Sequence, residues 1–234
     1  MGVTPSAKHA SVLVIGASRG LGYAIAEEYV HRGAQVVATV RSEAHTPLHT
    51  LQEDVGRQVE IENVDINVPA QVSALRLRLA SRNFDLLLVN AGVAAAETVA
   101  EVSTDEYVRL MVTNALSPMR VIETLADVVA GDGTIAVMSS GQGSISNNLG
   151  GGAEIYRASK AALNQLMRSY AARHDGDARS LLLLAPGWVK TDLGGPHARL
   201  TTQESIPRLI DVVEAQRGHG GLQYLDYQGK TVPW

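Results

Sequence analysis

The segment Ser11-Val-Leu-Val-Ile-Gly16-Ala-Ser-Arg-Gly20-Leu-Gly22 joins an apolar, β-branched run to a helical pattern through three glycines. The apolar run predicts a buried strand, and an i, i+4 apolar stripe from Leu21 to Gly33 predicts the helix. Gly16 permits a tight turn, while Gly20 and Gly22 let the backbone approach a pyrophosphate at the positive end of the helix. Such glycines also occur in ordinary turns, but their position between strand and helix favours a dinucleotide-binding site.

The rest of the chain repeats this alternation of strand and helix. Further strands are predicted at Gln35–Val40, Gln58–Val64, Asp85–Asn90, Gly133–Ser139, Ser180–Ala185 and Leu222–Asp226. Helices are predicted from Pro69, from Thr104 to Val129 with a kink at Pro118, over Tyr156–Arg173 and over Glu204–Gln216. Continuous apolar strands separated by helices predict the α/β class. We expect one NAD(P)-binding domain over residues 1–234, a Rossmann-type doubly wound sheet of about seven mostly parallel strands with helices on both faces.

Composition excludes several classes of protein. The formal net charge of −4 and the scattered Lys and Arg residues give no basic surface for nucleic acid. No apolar run approaches about 18 residues, so we expect no membrane span. The absence of cysteine excludes disulfides, thiolate catalysis and cysteine-ligated metals, and it allows a reducing compartment; we expect a cytoplasmic protein. Residues 1–9 are expected to be a flexible tail, although Gly2 and Ser6 fit the N-myristoylation pattern.

Tyr156-Arg-Ala-Ser-Lys160 carries the strongest catalytic signal. A Tyr and a Lys four residues apart lie on one face of a helix, one turn apart. A neighbouring ammonium favours the phenolate, so we expect Lys160 to lower the pKa of Tyr156 and make it a proton donor and acceptor near neutral pH. The alternative is a half-buried helix Tyr beside a surface Lys. Together with the upstream glycine-rich turn, the pair indicates a hydride-transfer enzyme.

The end of the second strand indicates which nicotinamide cofactor binds. An NAD-selecting site offers a carboxylate there, whereas a 2′-phosphate requires arginine. The strand ends Thr39-Val40-Arg41-Ser42 without an acid until Glu43, and Arg19 lies in the glycine-rich turn. These residues favour NADP(H) over NAD(H). Asp65, after the third strand, is placed either to bind the adenine amino group or to cap the helix that begins at Pro69.

These residues resemble the short-chain dehydrogenase/reductase family over nearly the whole chain. The family's glycine-rich turn matches Gly16–Gly22, and its later motifs match Asn90-Ala91-Gly92, Asn114, Ser140, Tyr156 with Lys160, and Pro186-Gly187 with Thr191. The stretches Ser139–Ile145 and Tyr224–Trp234 are similar to the C-factor/sniffer-like carbonyl reductase branch. Ile15 and Val89 depart from the family pattern, but neither removes a catalytic group. A long connection between Ser140 and Tyr156 implies an unusual substrate pocket.

The resemblance implies a role for each matching residue. Tyr156 would exchange a proton with the substrate oxygen, and Ser140 would bind the carbonyl. Lys160 would hold the nicotinamide ribose, Asn114 would keep a water in a proton relay to Lys160, and Thr191 would bind the carboxamide. Asn90 would either brace the sheet or contact the cofactor. The full set of expected cofactor contacts is Gly16, Ser18, Arg19, Gly20, Leu21, Gly22, Arg41, Asp65, Ile66, Asn90, Ala91, Gly92, Tyr156, Lys160, Pro186, Gly187, Val189 and Thr191.

Three functional hypotheses follow. The first is an NADP(H)-dependent reductase acting on a small-molecule carbonyl or alcohol; the others are a catalytically weak nucleotide-binding signalling protein on the same fold and a methyltransferase. We expect the glycine-bearing segments 141–154 and 193–202 to close over substrate, with Trp188, Leu193, Leu149 and Val93 as pocket walls. No metal site is expected, because Pro47 between His45 and His49 argues against a helix there. The short C-terminus argues against the family's common tetramer, which leaves a homodimer.

Overall fold

A computed structural model describes residues 10–234, so the expectations for residues 1–9, including the lipidation of Gly2, lie outside the described residues. Seven strands form one fully parallel sheet in the order β3-β2-β1-β4-β5-β6-β7. The predicted doubly wound sheet is confirmed. The strands are β1 Ser11–Ile15, β2 Gln35–Val40, β3 Val59–Asn63, β4 Phe84–Val89, β5 Val129–Met138, β6 Ser180–Ala185 and β7 Gly221–Asp226.

Helices cover both faces of the sheet, as parallel strands require. They are α1 Gly20–His31, α2 Pro47–Val55, α3 Pro69–Arg78, α4 Thr104–Met111, α5 Ser117–Leu125, α6 Glu154–Arg173 and α7 Thr202–Gln216. Alternate β1 side chains point to opposite faces: Leu13 packs in a core with α3, α5 and α6, and Val12 packs in a core with α1, α2 and α7. Within residues 10–234, no helix is both long and apolar enough to cross a bilayer.

The helix α2 was not predicted, and the expectation that Pro47 opposes a helix is wrong. Pro47 occupies the first turn, where a missing N–H costs nothing, and Thr46 is the N-cap. His49 accepts a hydrogen bond from the Thr46 backbone N–H at 3.1 Å through Nδ1. His45 lies outside the helix and pairs with Glu53 at 3.3 Å. The two histidines therefore take part in local capping and pairing.

The single helix predicted from Thr104 to Val129 is interrupted. A π-helical turn, Val112–Leu116, separates α4 from α5, and the Ser117 N–H bonds to the Val112 carbonyl across the wider ring. Pro118 lies in the first turn of α5 and has no N–H to offer the Asn114 carbonyl four residues earlier. Helix α5 ends at Leu125, and β5 begins at Val129, four residues before the predicted Gly133. The π turn places Asn114 at the point of irregularity, a frequent feature of functional sites.

Candidate active site

The expected site residues gather at one edge of the sheet. Because every strand is parallel, the carboxyl ends of β1, β2, β4, β5 and β6 share that edge. They are followed there by Gly16, Arg41, Asn90, Ser140 and Pro186, respectively. The crevice outside the carboxyl ends is where open parallel sheets bind ligands.

The glycine-rich turn after β1 is tightly packed against its neighbours. Gly16 has φ +86° and Gly20 has φ +58°, conformations that favour glycine. A Cβ on Gly22 would overlap the Gly16 carbonyl oxygen and lie 2.7 Å from the Asn90 amide nitrogen. That nitrogen donates to the Gly16 carbonyl at 2.9 Å, and the Gly16 N–H donates to the Thr39 hydroxyl at 2.9 Å. Asn90 therefore braces the turn, with Thr39 as a second brace that the sequence did not reveal.

The N-terminus of α1 offers its amides to an anion. Arg19 is the N-cap residue, and within residues 10–234 no side chain caps this helix. The first turn contains no acidic residue. Unsatisfied N–H groups and the positive end of the helix dipole favour a phosphate at this position. Ser18 and Leu21, which lie within the glycine-rich turn, are both partly exposed.

Arg19 has a partner that the sequence did not predict. Its guanidinium lies 3.3 Å from the Asp192 carboxylate, with both side chains about three-quarters exposed (73% and 76%). A cleft of about 260 Å³ opens beside this pair and is lined by Gly20, Tyr23 and Thr191 among others. Arg41 is exposed directly after β2. The carboxylate of Asp192, which is distant along the chain, therefore pairs with one of the two arginines.

Asp65 forms a local turn and does not cap the following helix. Its carboxylate accepts from the Asn67 N–H at 2.9 Å, and its own N–H donates to the Gln71 side chain at 2.7 Å. The N-cap of α3 is Val68, so the capping alternative is wrong. Ile66 is buried in the core below this turn. Asn67 also bonds to the Thr113 and Ser117 hydroxyls at 3.1 and 2.8 Å, which braces the π turn.

Lys160 and Tyr156 lie together on α6, but their electrostatics differ from the expectation. The Lys160 ammonium is buried, donates to the Met138 carbonyl at 2.8 Å and lies 5.9 Å from the centre of the Tyr156 ring. Burial lowers the pKa of Lys160 to about 8. Burial also raises the pKa of Tyr156, and a hydrogen bond with the Ser140 side chain opposes that rise. The expected lowering of the Tyr156 pKa by Lys160 is wrong for this structure, because burial raises that pKa and the opposing contribution comes from Ser140.

Asn114 fixes the backbone that follows β4. Its side chain accepts from the Val93 N–H and donates to the Val93 carbonyl, each at 2.8 Å, and donates to the Ser159 hydroxyl at 3.0 Å. A Cβ on Gly92 would lie 3.4 Å from the Asn114 side-chain oxygen and 3.5 Å from the Lys160 nitrogen. Glycine at position 92 thus keeps the space between these two groups open. Ala91 packs against Gly16, where an added Cβ would lie 2.9 Å away.

The segment after β6 returns to the glycine-rich turn. Gly187 has φ +84°, and a Cβ there would lie 2.7 Å from the Leu200 side chain. The Thr191 hydroxyl accepts from the Gly194 N–H at 3.0 Å, and Val189 is buried just before it. The Thr191 methyl carbon lies 3.6 Å from the position of a Cβ on Gly20. The last predicted cofactor motif therefore lies beside the first.

The two segments expected to close over substrate are only partly anchored. In the first, the Gly143 carbonyl accepts from Asn164 at 3.2 Å and the Ser146 N–H donates to the Trp234 carbonyl at 3.0 Å. In the second, a β-bridge joins Leu200 to Val189. Residues 147–153 and 193–197 bond mainly to residues close to them in the chain, such as Gly151 to Asn148 at 3.1 Å and Gly194 to Thr191 at 3.0 Å. The expected pocket walls Leu149, Trp188 and Leu193 are exposed, and Val93 is partly exposed.

Comparison with known proteins agrees with this geometry. The sequence model of the short chain dehydrogenase family matches residues 10–199. Among curated proteins, C-signal of Myxococcus xanthus is 35% identical over 153 residues, which are 64% of this chain and 92% of that protein.

Two solved structures are similar over almost the whole chain. A short-chain dehydrogenase/reductase from Burkholderia multivorans with bound NADP is 55% identical, with a TM-score of 0.95 over 97% of this chain and 100% of the other. A carbonyl reductase from Pseudomonas aeruginosa PAO1 in complex with NADP is 37% identical, with a TM-score of 0.89 over 96% and 99% of the two chains.

Proposed function

Because the chain belongs to the short-chain dehydrogenase/reductase family, we propose that it is an NADP(H)-dependent oxidoreductase that transfers hydride between nicotinamide and a carbonyl or alcohol substrate. One observation carries the proposal. Ser140, Tyr156, Lys160 and Asn114 converge from three elements at the sheet edge that also holds the uncapped α1 N-terminus. This arrangement combines proton-transfer groups with an anion site.

The site fits a phosphorylated dinucleotide. The uncapped helix and the turn at Gly16, Gly20 and Gly22 would hold the pyrophosphate. Arg19 and Arg41 would bind a 2′-phosphate, and NADP is the cofactor in both similar structures. Asp65 would bind the adenine.

At the nicotinamide end, Lys160 and Tyr156 would bind the ribose and Thr191 the carboxamide. The open space that Gly92 leaves between Asn114 and Lys160 suits this role for Lys160. When bound, the reduced nicotinamide supplies the hydride for a carbonyl substrate.

The protein's own side chains would transfer the proton to the substrate oxygen. The Ser140 hydroxyl would donate to the substrate oxygen and stabilise its developing charge. The Tyr156 phenol would then give its proton to that oxygen. The Ser140 hydroxyl bonds to Tyr156 in the free protein and would turn to the substrate oxygen in the complex. Lys160, with its pKa lowered to about 8, exchanges protons readily near neutral pH. Because Pro118 cannot donate to the Asn114 carbonyl, that oxygen is suited to hold a relay water.

The main alternative is a catalytically weak nucleotide-binding signalling protein. The likeness to C-signal favours it, whereas the complete set of Ser140, Tyr156, Lys160 and Asn114 favours an enzyme. The family match removes the methyltransferase hypothesis. NADPH consumption over a panel of aldehydes, ketones and quinones separates the two remaining functions. Turnover that disappears in Tyr156→Phe supports the reductase, and cofactor binding without turnover on any carbonyl supports the alternative.

Two further parts of the proposal concern assembly and location. An apolar cleft of about 310 Å³ between the π turn and α6, lined by Met111, Leu116 and Leu166 among others, supports a homodimer. Light scattering after size-exclusion chromatography tests this, and a monomer at all concentrations would contradict it. We also propose a cytoplasmic location, where NADPH would be available, and cell fractionation tests it.

A further inference from the structure

A tyrosine on the last strand reaches the backbone of the active-site serine. Tyr224 lies on β7 and is almost fully buried (2% exposed), and its phenol donates a hydrogen bond to the Ser140 carbonyl. The same carbonyl accepts from the Gly143 N–H at 2.8 Å. None of the roles proposed above for the active site involves Tyr224.

This contact belongs to a wider set of restraints on the segment 138–143. Lys160 binds the Met138 carbonyl at 2.8 Å, and Asn164 binds the Gly143 carbonyl at 3.2 Å. The Ser139 hydroxyl donates to the Asn164 side-chain oxygen at 2.6 Å. Side chains from α6 and β7 therefore fix the carbonyls before, at and after the serine. The Asn164 and Ser139 side chains are also hydrogen-bonding neighbours of the Tyr224 phenol.

A second buried tyrosine, Tyr170, fills space in the core without using its hydroxyl. Tyr170 lies in the same core and is 1% exposed, but within residues 10–234 its hydroxyl has no hydrogen-bond partner. Its ring fills the core as a phenylalanine would. The Tyr224 hydroxyl, in contrast, donates to the carbonyl of Ser140, the residue whose side chain bonds to Tyr156.

From this geometry we infer that Tyr224 is a positioning residue that acts through Ser140. It holds the Ser140 peptide group so that the Ser140 hydroxyl stays directed at Tyr156 and the substrate oxygen. The inference rests on the proposed function. Ser140 has an extended backbone at the end of β5 and precedes a short 3₁₀ turn. Without the Tyr224 hydroxyl its carbonyl would keep only the Gly143 N–H as a donor, so the Ser140 peptide group would be held less firmly. Displacement of a catalytic group by about 1 Å costs on the order of 10²-fold in rate, and partial loosening should cost about tenfold.

The test compares Tyr224→Phe with Tyr170→Phe, which removes the same atom from a tyrosine of equal burial. We expect Tyr224→Phe to lower kcat about tenfold with the Kd for NADPH changed by less than about twofold, and Tyr170→Phe to leave both unchanged. In a Ser140→Ala background, Tyr224→Phe should lower kcat by less than about twofold further. An unchanged kcat, or the same loss in both backgrounds, would overturn the inference. If Tyr224→Phe does not fold, the same measurements are made on Ser139→Ala, which disturbs the hydrogen bonding of the Tyr224 phenol.

A second readout does not depend on activity. Hydrogen exchange of the amides in 140–144 should be faster in cofactor-free Tyr224→Phe than in Tyr170→Phe, because the carbonyl that accepts the Gly143 N–H has lost its second donor. Equal exchange would overturn the inference even if the wild-type protein reduced no carbonyl. Wild-type protein without turnover, or an active Tyr156→Phe, would instead refute the proposed function.

Discussion

The ion pair between Arg19 and Asp192 predicts that cofactor preference can be increased by one substitution. In the proposed complex, Arg19 binds the 2′-phosphate, so it must first leave the carboxylate 3.3 Å away. Asp192→Asn removes that competitor and also a negative charge near the phosphate. We therefore expect tighter binding of NADPH, with the affinity for NADH unchanged because NADH has no 2′-phosphate.

The size of the effect follows from exposure. Both side chains are about three-quarters exposed, and such pairs contribute roughly 0.2–1 kcal/mol. Asp192→Asn should therefore lower the Kd for NADPH by about 1.4- to 5-fold. Arg41→Asp acts in the opposite direction: loss of a charge-assisted contact and gain of a like charge should weaken NADPH binding by roughly ten- to hundredfold.

Nucleotide fluorescence titration measures the affinities for NADPH and for NADH directly. Asp175→Asn is the matched control, since it removes one exposed acid just before β6, at the opposite edge of the sheet. The gain from Asp192→Asn should shrink at high salt. It should be smaller in an Arg19→Gln background, where only the removal of the negative charge near the phosphate remains. Equal gains with and without Arg19, or equal affinities of the unaltered protein for NADPH and NADH, would refute the reasoning.

The remaining predictions concern stability and dynamics. Because burial lowers the pKa of Lys160 to about 8, the unfolded lysine keeps its proton at pH values where the folded one loses it. The free energy of unfolding should therefore gain about 1.5 kcal/mol from this residue between about pH 8 and about pH 9.5, and denaturant titrations of Lys160→Met should lack that gain. Gly22→Ala should lower the free energy of unfolding by roughly 1–3 kcal/mol and weaken NADPH binding, because its Cβ would overlap the Gly16 carbonyl oxygen and lie 2.7 Å from the Asn90 amide nitrogen. An unchanged unfolding free energy in calorimetry would contradict this prediction. Hydrogen exchange should slow in 147–153 and 193–197 when NADPH and a product analogue bind, and unchanged exchange would mean that these segments are not lids.

The sequence predicted the strands better than the helices, for a physical reason. Strands buried on both faces are continuous apolar runs, and β6 was predicted to the residue. The helix α2 was missed because its start depends on a Thr46 cap and a His49 side chain that resemble an ordinary loop. The π turn was missed because Pro118 predicts an irregularity in the helix but does not indicate that the hydrogen-bonded rings before it are wider than in an α-helix.

For the site, the sequence predicted the residues that lie within local motifs. It did not predict Thr39, Asp192 or Tyr224, because each acts on a motif through a contact distant along the chain. It also gave the wrong direction for the pKa of Tyr156, since a spacing of four residues does not reveal how deeply both groups are desolvated.

In the proposed reaction, Tyr156 moves a proton during hydride transfer at this site. Single-turnover kinetics of NADPH oxidation by a reactive carbonyl, measured by stopped flow for wild-type and Tyr156→Phe protein, tests it most directly. We expect the rate to fall by roughly 10²-fold or more while the Kd for NADPH changes by less than about twofold, because phenylalanine preserves packing and removes only the proton donor. A Tyr156→Phe rate near that of the wild type would contradict the account.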